Sequence, residues 1–205
     1  MLEIKRGSII LFEGDSITDA GRDYADMHSL SGYNKIIGAA GAKGGAESFN
    51  RAVSGHRTKD VLARIRGELR ELRPDVFSVL IGINDTWRRY DGANDPTSGE
   101  QFRKNLRGIL SAVRGGGAKI ILMEPFLLPV DPAKAVMRED LNEKIDVTRE
   151  LAREFADEYV PLDGLFAEVV LKVPPEKLSA DGVHPTELGN EYIARWWLER
   201  VSFGK

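Results

Sequence analysis

Short, nearly uninterrupted apolar runs alternate along this chain with longer stretches in which apolar residues return every three or four positions. The runs Ser8 to Phe12, Phe49 to Val53, Val76 to Ile81, Lys119 to Met123 and Tyr159 to Leu162 predict five strands. Between them, the helical period predicts helices over Gly32 to Ala42, Thr58 to Leu72, Gly99 to Val113 and Met137 to Ala156, and a terminal helix over Thr186 to Val201. Strands apolar on both faces, each followed by a helix, predict an α/β fold with a parallel sheet covered on both sides. Turn chemistry agrees, since Arg73-Pro74-Asp75 precedes the third strand and Gly115-Gly116-Gly117 precedes the fourth. No repeat, linker or low-complexity segment interrupts the pattern, so a single domain over residues 1–205 is expected.

In open parallel sheets ligands bind beyond the carboxyl ends of the strands, which directs attention to the residues just after each run. These are Gly14-Asp15-Ser16, Ser54-Gly55-His56 and Gly82-Ile83-Asn84-Asp85, with Asp181-Gly182-Val183-His184 near the C-terminus. Taken alone, Gly-Asp-Ser is also what a turn into a helix prefers, because Asp and Ser cap helices. Taken together, the four sets supply what acyl transfer requires: a hydroxyl, an imidazole to take its proton, a carboxylate to orient the imidazole, and donors for a developing oxyanion. Ser16 is the candidate nucleophile, His184 the base and Asp181 its orienting acid. The backbone N–H groups of Ser16 and Gly55 and the side-chain amide of Asn84 are the candidate oxyanion donors. Glycine at 55 leaves room for a substrate oxygen. Asp181 and His184, three positions apart ahead of a helix, suit a carboxylate on Nδ1 with Nε2 left facing Ser16.

Composition narrows the alternatives. A chain of 205 residues, 42% hydrophobic and 30% charged, suits one compact core. Net charge is −3 with both signs interleaved, so nucleic acid is not an expected partner. The absence of cysteine excludes a thiolate nucleophile, a disulfide framework and a cysteine-based zinc site. The first apolar stretch is too short for a signal peptide, and no window approaches the ~18 apolar residues of a membrane span. A cytoplasmic chain starting at Met1, without a membrane partner, is expected. An α/β-hydrolase elbow needs a second glycine that Gly14-Asp15-Ser16-Ile17-Thr18 lacks. A phosphatase with Asp15 as nucleophile lacks a second acid two positions on and a magnesium cluster. Gly38 to Gly45 lacks nucleotide-binding spacing. A non-catalytic carbohydrate-binding module is the remaining alternative, against which intact Ser16, Asn84 and His184 stand.

The stretches FEGDSITD, Asn50-Arg51-Ala52-Val53-Ser54-Gly55, GIND and DGVHP resemble, in order and residue type, the four blocks of the SGNH hydrolases, also called GDSL-type esterases and lipases. The resemblance spans nearly the whole chain, with Ile17 standing for the leucine of the name-giving motif. It implies a flavodoxin-like, three-layer α/β/α fold, a triad of Ser16, Asp181 and His184, an oxyanion hole including Gly55 and Asn84, and neither metal nor cofactor. GINDTWRRYDG is similar to the carbohydrate acetyl esterases of that family, intracellular acetylxylan esterases in particular. That likeness implies hydrolysis of acetyl esters of small carbohydrates, xylosides or xylo-oligosaccharides, through an acyl-enzyme, with an esterase or lipase of broader acyl range as the alternative. Trp87 and Tyr90 would then stand at the mouth of the site, with Trp87 closing the acyl pocket, and Asp15 is grouped with them on the substrate side while also holding the turn. Ordinary packing is the competing reading for Trp87. Arg88 and Arg89 are expected to be solvated or paired with Asp91 and Asp95, and His28 to lie at the surface. His56 either touches substrate or caps the helix from Thr58, and Glu124 organises its loop. Trp196, Trp197 and Phe203 are open to a place in the core or in a homo-oligomer interface.

Overall fold

The computed structural model describes residues 1–92 and 94–204. Near the N-terminus β1 (Leu2–Ile4) pairs in parallel with β7 (Val201–Phe203), joining the two ends of the chain. The main sheet is built from β2 (Ile9–Gly14), β3 (Glu47–Asn50), β4 (Val76–Leu80), β5 (Lys119–Met123) and β6 (Glu158–Val160), all parallel, in the order β3-β2-β4-β5-β6. This is the flavodoxin-like arrangement, in which the second strand of the sheet lies outside the first. The order reverses between β2 and β4, so the carboxyl ends of those two strands flank the crevice where such folds bind ligands.

Period-two alternation sends each strand's side chains into two separate cores. Ile10, Phe12, Val76, Leu80, Ile121 and Met123 meet Tyr33 and Ile37 of α2 (Gly32–Lys43) and Ile193 and Trp197 of α9 (Glu187–Leu198). Leu11, Phe77, Val79, Ile120 and Leu122 meet Val61 and Ile65 of α3 (Thr58–Leu72), Phe102 and Leu106 of α5 (Gly99–Gly115), and Val147 and Leu151 of α6 (Met137–Phe155). Both faces of the sheet are therefore dry, as the unbroken apolar runs require. Short helices complete the fold: α1 (Ser16–Asp19), α4 (Ile83–Trp87), α7 (Leu162–Val169) and α8 (Pro175–Leu178). Among the described residues no helix is long and apolar enough to cross a membrane.

Among the boundaries that depart from the sequence reading, three bear on the fold. β3 ends at Asn50 instead of Val53, because the Asn50 carboxamide oxygen accepts the Ala52 N–H at 3.1 Å and turns the chain outward. β6 stops at Val160, because Pro161 leads into α7 and its carbonyl accepts the Leu165 N–H at 3.0 Å. α9 ends at Leu198 and Val201 enters β7. Trp197 is fully buried and donates its indole N–H to Ser78 Oγ at 2.9 Å. Trp196 packs edge-on against Phe166, with centroids 4.9 Å apart. Both tryptophans belong to the core.

Candidate active site

The turn that presents Ser16 is shaped by Gly14. A Cβ there would stand 2.2 Å from the Leu80 carbonyl oxygen, so only glycine lets β2 run this close to β4. Asp15 then caps α1, its Oδ1 accepting the Ile17 N–H at 3.0 Å, and Ser16 is the first helical residue. Two amides hold this short helix: Nδ2 of Asn34 and of Asn50 donate to the Thr18 carbonyl at 2.6 and 3.0 Å. Asp19 reaches the next loop, where its Oδ2 accepts the Ser54 N–H at 2.8 Å and the Ser54 hydroxyl at 2.6 Å. Gly55 follows with φ +81°, a left-handed conformation that favours glycine. The third loop is tied in turn: Asn84 Nδ2 donates to the His56 carbonyl at 3.1 Å, and Asp85 accepts the Thr58 N–H and hydroxyl at 3.0 and 2.6 Å. Side-chain bonds between the loops thus fix Ser16, Gly55 and Asn84 relative to one another.

Opposite them, the turn before α9 brings His184 Nε2 to 2.9 Å from Ser16 Oγ. His184 Nδ1 lies 2.9 Å from Asp181 Oδ2. Asp181 Oδ1 accepts the backbone N–H groups of Val183 and His184 at 2.9 and 2.7 Å. Burial alone would raise the Asp181 pKa, but the His184 backbone N–H, the His184 ring, the Val183 N–H and the Lys134 ammonium outweigh it and hold the carboxyl well below the usual range. With Asp181 ionised, Nδ1 carries the imidazole proton and Nε2 accepts from the Ser16 hydroxyl, the tautomer that a general base needs. The backbone N–H groups of Ser16 and Gly55 have no hydrogen-bond partner among the described residues. A cleft of about 330 Å³ opens over Ser16 and His184, bounded by Ser31, Gly32 and Asn190.

Residues 12–192 match the family described as GDSL-like lipase/acylhydrolase. The chain belongs to that family. It is 29% identical over 214 residues to an acetylxylan esterase of Geobacillus stearothermophilus, covering 98% of this chain and 97% of the relative. The crystal structure of an acetylxylan esterase from that organism superposes with a TM-score of 0.87 at 30% identity, over 96% of this chain and 95% of the other. Catalytic mutants of that enzyme carry alanine in place of a serine, of an aspartate, and of a histidine three positions beyond the aspartate. A thioesterase 1/protease 1/lysophospholipase L1 of Escherichia coli is 29% identical over 153 residues, 74% of this chain and 65% of the relative. As a GDSL-family protein the chain is a carboxylic ester hydrolase.

Other residues of this GDSL hydrolase fall less simply. Trp87 stands beside the histidine, its ring centroid 6.1 Å from that of His184. Tyr90 instead faces a polar cavity with Arg89, Glu139, Asp140 and Glu143, at the start of α6. Asp15 is wholly buried, which corrects its grouping with the substrate-binding residues: it holds the turn and has no exposed surface to offer a ligand. Arg88 pairs with Asp91, but Arg89 reaches Asp140 at 3.2 Å, and Asp95 is taken by Arg57 at 2.6 Å. His28 packs on Phe49 at the surface, with ring centroids 4.4 Å apart. The His56 carbonyl accepts the Asn84 amide, while Glu124 is buried under Arg149, the Tyr159 hydroxyl and the Asp163 N–H at 2.7, 2.7 and 3.0 Å. Asp19 and Lys134 were not singled out by sequence reasoning. Asn50 sits inside a quoted block, yet only the folded structure reveals its bond to Thr18.

The buried Asp15 has a measurable consequence. Its Oδ2 has no hydrogen-bond partner among the described residues, and burial pushes its pKa from 3.8 up to about 7 against the Ile17 N–H, with the nearby Asp85 charge adding to the rise. Between pH 3.8 and 7 the unfolded chain therefore ionises this group while the folded protein keeps it protonated. The stability contributed by Asp15 is full below the unfolded value and is lost as pH rises through the folded one. Asp15→Asn removes this titration. Going from pH 5 to pH 8, its stability is expected to rise relative to wild type by roughly 2 to 3 kcal/mol, at about 1.36 kcal/mol per pH unit. Urea unfolding of both proteins at the two pH values measures it, and a difference that does not change with pH refutes the assignment.

Proposed function

We propose that this GDSL-family chain is a serine esterase that removes acetyl groups from small acetylated carbohydrates, xylosides and xylo-oligosaccharides among them. The observation that carries the reading is the hydrogen-bonded series Ser16, His184, Asp181, with both links at 2.9 Å, in a site where the Ser16 and Gly55 N–H groups have no partner among the described residues. Ser16 Oγ attacks the acetyl carbonyl as its proton passes to His184 Nε2, and the imidazolium is stabilised by Asp181. The tetrahedral oxyanion is held by the two backbone N–H groups and the Asn84 amide. His184 then protonates the departing sugar oxygen, leaving acetyl-Ser16. Water, deprotonated by His184, attacks the acetyl-enzyme, and collapse of the second tetrahedral intermediate releases acetate and returns the proton to Ser16.

The acetylated-carbohydrate specificity is supported by near full-length similarity to an acetylxylan esterase and by the place of the Trp87 ring beside His184, where this reading makes it the wall of a short acyl pocket. A panel of acetylated xylosides, other acetylated sugars and matched butyryl and octanoyl esters tests it. We expect kcat/KM for acetyl to exceed that for octanoyl by at least about tenfold, the scale on which a pocket rejects added methylenes. A preference for octanoyl esters overturns the small pocket and favours a broader lipase-like specificity.

A further inference from the structure

A cation from a separate element reaches into the proposed triad. Lys134 ends the 3-10 turn Pro132–Lys134 in the connection between β5 and α6, a turn capped by Asp131, which accepts the Ala133 N–H at 2.9 Å. The Lys134 ammonium donates to the Asp181 carbonyl oxygen at 2.7 Å and to Asp181 Oδ2 at 3.0 Å, the same carboxylate oxygen that takes the His184 ring. It also lies 4.6 Å from the centroid of the Trp87 ring. The side chain is 15% exposed, so these contacts are made largely out of water.

We propose that Lys134 is a positioning residue that locks the Asp181 carboxylate and the Trp87 ring in one arrangement and offsets the negative charge that Asp181 presents to His184. The proposal rests on the esterase reading above. His184 is faced by Asp181 from its own loop, by the Ser16 hydroxyl from α1, by the uncharged Trp87 ring from α4, and, across Asp181, by Lys134. Asp131 lies 4.0 Å from Lys134, on the same ammonium, and Arg88, just past α4, is held by the Gly55 carbonyl and Asp91. Removing the lysine therefore takes away a positive charge without uncovering another. Asp181 Oδ2 would then serve the imidazole alone, which favours the imidazolium. The cation over Trp87 also restrains the indole, and losing it frees the wall of the acyl pocket.

The test is the pH profile of kcat/KM for p-nitrophenyl acetate, whose acid limb reports the free enzyme's base. Lys134→Met keeps the aliphatic stem and removes the charge. Its acid limb is expected to move up by about half to one pH unit, making it roughly 3- to 10-fold slower than wild type below both limbs and much closer to it on the plateau. The ratio of acetate to butyrate turnover is expected to fall in the same variant. Lys134→Arg keeps the charge and is expected to leave the limb in place. A folded Lys134→Met enzyme whose limb coincides with wild type overturns the proposal, as does a Lys134→Arg limb displaced as far as that of Lys134→Met. Should Lys134→Met fail to fold, Lys134→Gln set against Lys134→Arg makes the same comparison. Wild type that does not turn over p-nitrophenyl acetate refutes the esterase reading, whereas active wild type with an unmoved Lys134→Met limb refutes the role of Lys134 alone.

Discussion

Ser16→Ala is expected to lower kcat for an activated acetate ester by about 10⁴- to 10⁶-fold while leaving the fold intact, because it removes the hydroxyl that His184 Nε2 is placed to deprotonate. The hydroxyl's hydrogen-bond partner is His184, which is 47% exposed, so water can replace the lost bond. The capping of α1 comes from Asp15, and helix formation does not depend on the serine side chain. The thermal midpoint should therefore stay within a degree or two of wild type, surface-like changes of this kind falling inside about ±0.5 kcal/mol. The pre-steady-state burst that reports acyl-enzyme formation should vanish with turnover. Residual turnover above about 1% in the purified variant, or a surviving burst, overturns Ser16 as the nucleophile, since oxyanion donors and binding alone leave far less.

The parts of this site that were legible in the sequence are those in which residue type and strand position carry the information. The runs around Leu11, Phe77 and Ile120 read as strands because they are apolar on both faces, and their carboxyl ends then had to lie on one edge of the sheet. That edge brought Ser16, Gly55 and Asn84 together before any geometry was known. Lys134 was illegible because it contacts Asp181 across 47 residues, from an irregular turn whose course no periodicity records. Asp15 holds the turn, as its type and position suggest, and is kept from the substrate side by a burial that follows only from how β2 and α1 pack. The pairing of β1 with β7 was missed because three-residue strands are too short to show alternation. In the segment after β6, the apolar Val160-Pro161-Leu162 continued the strand pattern, although proline there begins a helix.

Asn84→Ala is expected to lower kcat by about 100- to 1000-fold, the usual cost of one oxyanion donor, with little change in KM. The split follows from timing: a donor aimed at charge that develops only in the transition state contributes little to ground-state binding. Asn84 is 5% exposed and donates to the His56 carbonyl at 3.1 Å, leaving its second N–H without a partner among the described residues. Alanine therefore removes two things at once, the donor itself and the bond that anchors the His56–Arg57 peptide just beyond Gly55, which places the expected loss toward the upper end of the range. Asn84→Asp separates charge from shape. Its carboxylate fills the same volume but accepts where the amide donates, so it can hold neither the His56 carbonyl nor an oxyanion, and it sets a negative charge against the one that develops on the substrate. It should be at least as slow as alanine. If Asn84→Ala folds and keeps its kcat, or if the loss lies wholly in KM, the amide binds substrate in the ground state and the oxyanion is held by the Ser16 and Gly55 N–H groups alone.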